Sequence, residues 1–286
     1  MTDAPAPGPD EARRSRAAVL GGVAGFLVAA PLLVLGGGLP LLDALLLPLL
    51  LLVMPALALA QASLMQRLVF DRLAAYWSSI ATLWIIGATS WLVGARRGGL
   101  EALGLVAIPP LALAAWSAGL AAVGIAVLLA FRAFGRRFAV EESRMLTCLL
   151  PRTPRERKVF ALLSCAAGLG EEVAYRGYVI PALAGVAGLP ASVAVSSLVF
   201  GVLHAYQGPI GMVRTALMGF VLAGGFLVSG SLLPAILGHT LIDLIGGLVI
   251  ADRLVAERSG DAAPATAGAG GLRHEKLAET TDATDE

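Results

Sequence analysis

The residues best suited to chemistry are two adjacent carboxylates and an arginine, which lie within a long apolar stretch as Glu171, Glu172 and Arg176. On a helix, residues four apart share a face, so we predict an ion pair between Glu172 and Arg176. Glu171 is rotated by about 100° from Glu172 and therefore faces a different partner. A buried carboxylate without a full counter-charge can act as a general base or acid. A purely structural ion pair is the alternative, but it leaves one glutamate over.

Two of the three histidines, His204 and His239, lie in equally apolar surroundings. Asp243 follows His239 at a spacing of four, so on a helix the two side chains can hydrogen-bond or bind a metal ion together. Either histidine alone is better explained by packing or by a hydrogen bond between helices than by catalysis. Both occur in the half of the chain that carries the glutamates, which favours one shared site.

Two histidines and a carboxylate are also ligands that zinc uses in proteins. If a metal ion is present, the expected ligands are Glu171, His204 and His239. The spacing H-E-x-x-H is absent from the chain, so the local signature of zinc proteases fails, and a zinc site would be assembled from three helices. Zinc is therefore an open alternative to a metal-free glutamate site.

The composition indicates a membrane protein. Of 286 residues, 57% are hydrophobic and 14% are charged, whereas soluble domains average about 45–50% and about 25%. Successive apolar runs of about 20 residues, each long enough to cross a bilayer, predict an all-α polytopic transmembrane helical bundle. The runs lack the alternation of transmembrane β-strands. The net charge of +1 gives no indication of nucleic-acid binding, and two cysteines cannot build a disulfide framework.

Eight apolar runs are predicted to span the membrane, and four of them precede a long basic segment. The predicted spans are 17–38, 41–64, 75–94, 103–131, 159–184, 189–205, 209–229 and 232–250. Proline is tolerated in membrane helices, and we expect the pair Pro109-Pro110 to break or kink the fourth span.

The remaining segments are polar. We expect residues 1–16 to form an N-terminal cytoplasmic tail, 132–158 a basic cytoplasmic segment with an amphipathic surface helix, and 252–286 a disordered C-terminal tail. Residues 17–131 would then form four N-terminal transmembrane helices, and 159–251 would form the helical core that carries the candidate site.

The distribution of positive charge predicts the orientation of the chain. With the N-terminus in the cytoplasm, 17 of the 21 Lys and Arg residues lie on the cytoplasmic side, and only Arg96 and Arg97 lie outside. Eight spans with both termini in the cytoplasm fit this distribution, and six spans would give the same parity. We expect a multi-pass protein of the cell membrane.

Small residues in the second half are expected to let helices approach closely. They include three serines and six glycines, namely Ser164, Ser196, Ser197, Gly177, Gly201, Gly211, Gly219, Gly224 and Gly225. Arg214 is expected either to reach the membrane interface with its charged end or to line an entrance.

Three motifs occur in order in the second half of the chain. They are E-E-x-x-x-R from Glu171 to Arg176, F-x-x-x-H from Phe200 to His204, and H-x-x-x-D from His239 to Asp243. With these motifs, residues 155–250 resemble the CPBP family, which comprises CAAX proteases and bacteriocin-processing or bacteriocin-immunity (Abi) proteins. The resemblance implies an intramembrane endopeptidase acting on a membrane-associated or lipid-modified protein, with a helical bundle whose cavity opens to one membrane side and to lipid.

The resemblance also implies a role for each motif residue. Glu171 would activate the attacking water, His204 would help to hold it, and His239 with residue 243 would stabilise the oxyanion. Three further residues would shape the site, namely Glu172, Arg176 and Phe200. A requirement for metal has been argued both ways for the family.

Asp243 departs from the prenyl-protease branch of the family, which has asparagine at this position. An ionised aspartate cannot donate a hydrogen bond to an oxyanion. Asp243 would instead orient His239 through its ring N–H, or bind a metal ion.

Two functions without catalysis compete with this interpretation. Buried Glu, His and Arg side chains also mark ion pathways in transporters. A transporter would favour paired repeats, whereas the charged residues within spans are concentrated in the second half of the chain. A membrane scaffold or immunity protein could use the same polar site for binding another protein.

Overall fold

The computed structural model describes residues 8–65, 71–140 and 143–250, which form helices joined by turns, with no β-strand in these ranges. The α-helices are α1 (Pro9–Leu35), α2 (Leu41–Pro48), α3 (Met54–Met65), α4 (Arg72–Ala95), α5 (Pro110–Arg137), α6 (Arg144–Cys148), α7 (Pro154–Glu171), α8 (Ile180–Ala187), α9 (Leu189–Leu203), α10 (Gly208–Ser229) and α11 (Leu233–Ile245).

Wider π-helical turns extend three of these elements without a break. The segment Leu49–Val53 joins α2 to α3, Glu172–Val179 joins α7 to α8, and Gly246–Ile250 continues α11. The described residues therefore form eight long rods and the short α6, and the eight rods lie at the eight predicted spans. The all-α class is confirmed, while the number of membrane crossings and the side of each terminus stay predictions.

Several helix ends differ from the prediction. α5 begins at Pro110 instead of passing through it, because a proline in the first turn of a helix has no N–H to leave unpaired. The predicted break near Pro109-Pro110 is therefore confirmed, whereas the predicted start of this span at residue 103 is wrong. α1 begins at Pro9, inside the expected tail. Residues 1–7 and the predicted disordered tail 252–286 lie outside the described residues.

In the described parts of the basic segment, 132–140 and 143–158, there is no single amphipathic helix. α5 continues into it as far as Arg137, and only the short α6 follows before α7 begins at Pro154. Thr153 and Glu156 start α7 with reciprocal hydrogen bonds between side chain and backbone at that terminus. This capping box fixes where the charged segment ends and the buried helix begins.

The outer surface of the bundle is apolar, as expected for a multi-pass membrane protein. Five helices are long and apolar enough to cross a bilayer, namely Pro9–Leu35, Leu41–Ala62, Arg72–Ala95, Pro110–Arg137 and Ala205–Ser229. Large side chains on these helices face outward, since Leu27 is 64% exposed, Trp84 55% and Leu111 83%. Such a surface suits contact with lipid rather than with water.

The rod formed by α7, the π-helical segment Glu172–Val179 and α8 is the centre of the bundle. All eight residues of that π-helical segment are buried. Val173 packs in a core cluster with residues of α5, α10 and α11. Tyr178 packs on the other side with Leu47 of α2 and Phe200 of α9. The glutamate motif therefore lies between two of the hydrophobic core clusters of the protein.

Two glycines just before this motif let two neighbouring helices, α11 and α4, touch the backbone of α7. A Cβ atom at Gly168 would lie 2.1 Å from the Thr240 hydroxyl oxygen and 2.8 Å from the Ile236 carbonyl oxygen, both on α11. A Cβ atom at Gly170 would lie 2.6 Å from the Leu83 carbonyl oxygen on α4. Thr240 adjoins His239 in the chain, so the contact at Gly168 brings that histidine towards the glutamates.

The predicted small residues are mostly found at tight contacts. Ser164, Ser196 and Ser197 are buried. Among the glycines, Gly177, Gly201, Gly219 and Gly225 have neighbouring helices or turns within 3.0 Å of a built Cβ atom, whereas Gly211 faces Gln207 just before its own helix. Gly224 has open space around it, so that prediction is wrong.

A second buried charge connects the N-terminal helices to the central rod. The Asp43 carboxylate on α2 is fully buried, and Arg97 and Arg96, after α4, approach it at 2.8 and 3.5 Å. The Tyr178 hydroxyl donates a hydrogen bond to the same carboxylate at 3.1 Å. This group joins α2, the turn after α4 and the π-helical segment Glu172–Val179 at one end of the bundle.

The substitution Gly168→Ala tests the contact between α7 and α11. The added methyl group has no room, so we expect a loss of about 1–3 kcal/mol in the free energy of unfolding. Gly185→Ala in α8 is the matched control, because nothing lies within 4 Å of a Cβ atom there, and a gain of about 0.5–1 kcal/mol is expected. Denaturant unfolding in detergent measures both. Equal effects of the two substitutions would contradict the packing described.

Candidate active site

Glu172 lies at the closed, buried end of the candidate site. Its side chain is fully buried, and its Oε1 atom accepts hydrogen bonds from Arg176 Nη1 at 2.8 Å and from His239 Nδ1 at 2.9 Å. The predicted ion pair between Glu172 and Arg176 is confirmed, although the local backbone is a π-helix. The second bond connects the central rod to α11 and fixes the ring of His239.

Glu171 faces away from this ion pair, as its position on the helix predicts. Its Oε2 atom lies 3.7 Å from His239 Nε2, and Asp243 Oδ2 lies 3.8 Å from the same nitrogen. Both distances exceed a hydrogen bond, so the two carboxylates act on His239 electrostatically across a small space. Glu171 and Asp243 thus border one space at which His239 Nε2 points.

Exposure increases steadily across the site. The side chain of Glu172 is 0% exposed, that of His239 is 8%, that of Glu171 is 19% and that of Asp243 is 37%. The ion pair therefore lies at the closed end, and the open end lies at Asp243. A reacting group would reach Glu171 from that end without disturbing Glu172.

His204 ends α9 and enters the site from a third helix. Its Nδ1 atom lies 2.8 Å from the carbonyl oxygen of Phe200, and a carbonyl oxygen can only accept, so Nδ1 carries the proton. In the neutral ring, Nε2 is then a hydrogen-bond acceptor. The Phe200 ring lies 4.9 Å from the ring of His204 and 6.0 Å from that of His239. One phenyl ring thus contacts both histidines.

Phe200 also covers the buried arginine. The guanidinium carbon of Arg176 lies 4.2 Å from the centre of the phenyl ring, a distance at which the cation is attracted to the ring face. The structure therefore brings together all the predicted site residues, which are Glu171, Glu172, Arg176, Phe200, His204, His239 and Asp243.

The contacts of His239 differ from the expected ones in one respect. Asp243 was expected to orient this ring through an N–H group, but Glu172 holds Nδ1 at hydrogen-bond distance and Asp243 lies 3.8 Å from Nε2. The reason is the close approach of α11 to α7, which brings the ring directly over Glu172. Asp243 is left at the open end of the site.

The predicted interface position of Arg214 is wrong. This residue is 8% exposed, and its Nη2 atom donates to Gln207 Oε1 at 2.9 Å. Gln207 Nε2 in turn donates to the Tyr206 hydroxyl at 3.1 Å. The Tyr206 ring lies 5.8 Å from the His204 ring. Sequence reasoning missed Tyr206 and Gln207, and their position directly after His204 was the signal available.

In the described residues, the expected zinc ligands are not gathered into one group. Within residues 8–65, 71–140 and 143–250, no three His, Cys, Asp or Glu side chains are grouped so that they could hold a metal ion. The expected set of Glu171, His204 and His239 is not such a group, and no reaction step below uses a metal.

Comparison with known families identifies one segment of the chain. Residues 155–245 match the family model described as type II CAAX prenyl endopeptidase Rce1-like. The matched segment begins in the first turn of α7, ends with α11 and contains every residue of the site described above. Helices α1 to α5 lie outside it. No curated protein and no solved structure matches the chain.

The adjacent substitutions Glu172→Gln and Glu171→Gln separate structural from reactive carboxylates. Glu172→Gln leaves the buried charge of Arg176 without its partner, so we expect a loss of about 3–5 kcal/mol in the free energy of unfolding. Glu171→Gln removes a carboxylate that makes no hydrogen bond at 3.5 Å or less to the described residues, so stability is expected to stay the same or to rise. Denaturant titration in detergent compares them, and a reversed order would refute the assignment of Glu172 to the ion pair.

Proposed function

Since residues 155–245 belong to the CPBP family of CAAX-type intramembrane proteases, we propose that this protein is an endopeptidase that hydrolyses a peptide bond of a membrane-associated or lipid-modified protein. The observation that carries the proposal is the convergence of Glu171, His204 and His239 from three helices on one space with an open end. Groups that act on one water and one carbonyl must converge in this way.

Glu171 is the proposed general base. It makes only long contacts to His239, and it lies between the closed and open ends of the site. A carboxylate in this position can accept a proton from a water molecule as the water oxygen attacks the substrate carbonyl carbon. The same proton then passes to the nitrogen of the leaving amine as the C–N bond breaks.

His204 is proposed to orient the attacking water. Because its Nδ1–H is directed to the Phe200 carbonyl oxygen, its Nε2 presents a lone pair in the neutral ring. This lone pair can accept the hydrogen of the water that Glu171 does not take. Two acceptors on one water hold its oxygen lone pair towards the substrate, which is the positioning that hydrolysis requires.

His239 is proposed to stabilise negative charge on the substrate from the closed end of the site. Glu172 accepts its Nδ1–H and so fixes the ring, while Nε2 faces the space between Glu171 and Asp243. In its doubly protonated form the ring donates from Nε2 to negative charge that develops on the substrate. Asp243 lies where substrate would enter.

The membrane setting limits what the substrate can be. The multi-pass bundle has a lipid-facing surface, and water is scarce inside a bilayer, so hydrolysis there needs a polar space of this kind. We propose that the protein lies in the cell membrane with both termini in the cytoplasm, and that its partners are the lipid bilayer and a membrane-associated protein or peptide.

Cleavage assays with purified protein in lipid vesicles test the proposed base. The probes are a fluorogenic farnesylated CAAX peptide and a matched panel of acylated and unmodified membrane-anchored peptides. Glu171→Gln and His204→Ala are expected to lower the rate of cleavage by about 10²–10⁴-fold, as loss of general base catalysis does. Glu101→Gln, an exposed glutamate outside the matched segment, is the control. Wild-type cleavage that survives Glu171→Gln would refute the role of Glu171.

Chelation tests the metal-free form of the mechanism. Because the described residues offer no group of three metal ligands, we expect a strong chelator to leave the initial rate unchanged, and added zinc to give no increase. The measurement is the cleavage rate before chelation, after it and after zinc is returned, with the metal content of the same sample determined. Loss of activity that zinc restores would point to zinc catalysis instead.

A further inference from the structure

Apart from His239 Nε2, which donates when that ring is doubly protonated, the described residues that border the open space at Glu171 are acceptors. Two carboxylates border it, Glu171 and Asp243, and His204 presents a lone pair because its Nδ1 carries the proton. Hydrolysis of a peptide bond places negative charge on the carbonyl oxygen, and a donor aimed at that oxygen is commonly the largest single contribution to catalysis. Asp243, as a carboxylate, can only accept hydrogen bonds.

Tyr206 adds a hydroxyl group beside His204, at the border of this space. It belongs to the tight turn Ala205–Gln207, which follows His204 directly, and its ring lies 5.8 Å from the His204 ring at an angle of 37°. Its ring therefore lies beside the histidine that presents Nε2 to the site. The backbone is held as well, because the Ser143 hydroxyl donates to the Tyr206 carbonyl oxygen at 2.8 Å.

The neighbours of Tyr206 decide which way its proton points. A guanidinium group has donors only, so Arg214 Nη2, at 2.9 Å, requires the oxygen of the Gln207 amide to face it. The amide nitrogen must then donate to the Tyr206 hydroxyl oxygen, at 3.1 Å. Tyr206 is thus an acceptor in this chain, and its own proton is directed away from Gln207. Across the described ranges, no acceptor for that proton is found.

We propose that Tyr206 is a catalytic residue whose hydroxyl donates a hydrogen bond to the oxyanion, with Gln207 and Arg214 as its positioning residues. The proposal rests on the proposed function. As the water oxygen bonds to the carbonyl carbon, the C=O π electrons move to oxygen, and the Tyr206 O–H stabilises that charge without losing its proton. When the C=O bond reforms, the C–N bond breaks and the amine nitrogen takes the proton held by Glu171.

The aligned bonds from Arg214 to Gln207 and on to Tyr206 strengthen this donor. Each donor polarises the next group in the same direction, which strengthens the hydrogen bond that the Tyr206 hydroxyl donates to an acceptor. Gly211 keeps the chain in place, because a Cβ atom there would lie 2.3 Å from the Cβ atom of Gln207. The turn is thus built to hold the amide against Tyr206.

The substitution Tyr206→Phe removes the donor and keeps the ring beside His204. With the fluorogenic peptide that the wild type cleaves, kcat is expected to fall by about 10²–10³-fold, as it does when one oxyanion donor is lost, with KM changed by less than about twofold. Tyr76→Phe is the matched control, since its hydroxyl bonds to the Leu149 carbonyl oxygen, away from the site, and it should leave kcat unchanged. Gln207→Glu keeps the contact with Arg214 but takes the Tyr206 proton, and should resemble Tyr206→Phe.

A phosphinate analogue of the cleaved peptide distinguishes this role from a structural one. The oxygen on its tetrahedral phosphorus resembles the oxyanion. The affinity for this analogue should therefore fall together with kcat/KM in Tyr206→Phe and Gln207→Glu and stay unchanged in the control Tyr76→Phe. The affinity for an uncleavable substrate should not fall in any of the three. Wild-type kcat in Tyr206→Phe, or loss of kcat with unchanged analogue affinity, would overturn the proposal. If Tyr206→Phe fails to fold, Gln207→Glu decides by the same two criteria. A wild type that cleaves no probe would overturn the proposed function together with this role, whereas failure of Tyr206 alone leaves the function standing.

Discussion

The buried carboxylate of Glu172 is the constraint on which the site depends. A charge removed from water is stable only with close partners, and Glu172 has two of them, Arg176 from its own helix and His239 from α11. One oxygen atom accepts from both. This arrangement holds α7 against α11, sets the proton position on His239, and leaves the adjacent Glu171 without a fixed partner. Structure and reactivity are thus divided between two neighbouring glutamates.

The helices outside the matched segment contribute to that arrangement. α4 touches the backbone at Gly170, next to Glu171, and the carboxylate of Asp43 on α2 accepts from Tyr178 at the far end of the π-helical segment Glu172–Val179. A π-helical turn is less stable than an α-helical one and persists where surrounding packing supports it. The N-terminal half therefore encloses the segment that carries the glutamates, although it provides none of the site residues.

Much of this arrangement follows from local sequence. The apolar runs predict the eight rods, and the spacing of four predicts the pair Glu172 and Arg176, because both depend on the geometry of one helix. The bond from Glu172 to His239 joins residues 67 apart and depends on the missing side chain at Gly168, which no local pattern reveals. Arg214 resembles an interface residue by position, but its partner Gln207 lies across the turn before α10. Contacts between helices were the part that the sequence could not predict.

The ¹⁵N spectrum of the histidine rings, recorded on the purified protein in detergent, tests the central claim most directly, since the chain has three histidines. Substitution of His274, which lies in the tail, and of His204 assigns the signals. The account predicts that Nδ1 of His239 carries a proton and loses its hydrogen-bonded shift in Glu172→Gln. A His239 ring whose Nδ1 is unprotonated in the wild type, or whose signal is indifferent to Glu172→Gln, would contradict it.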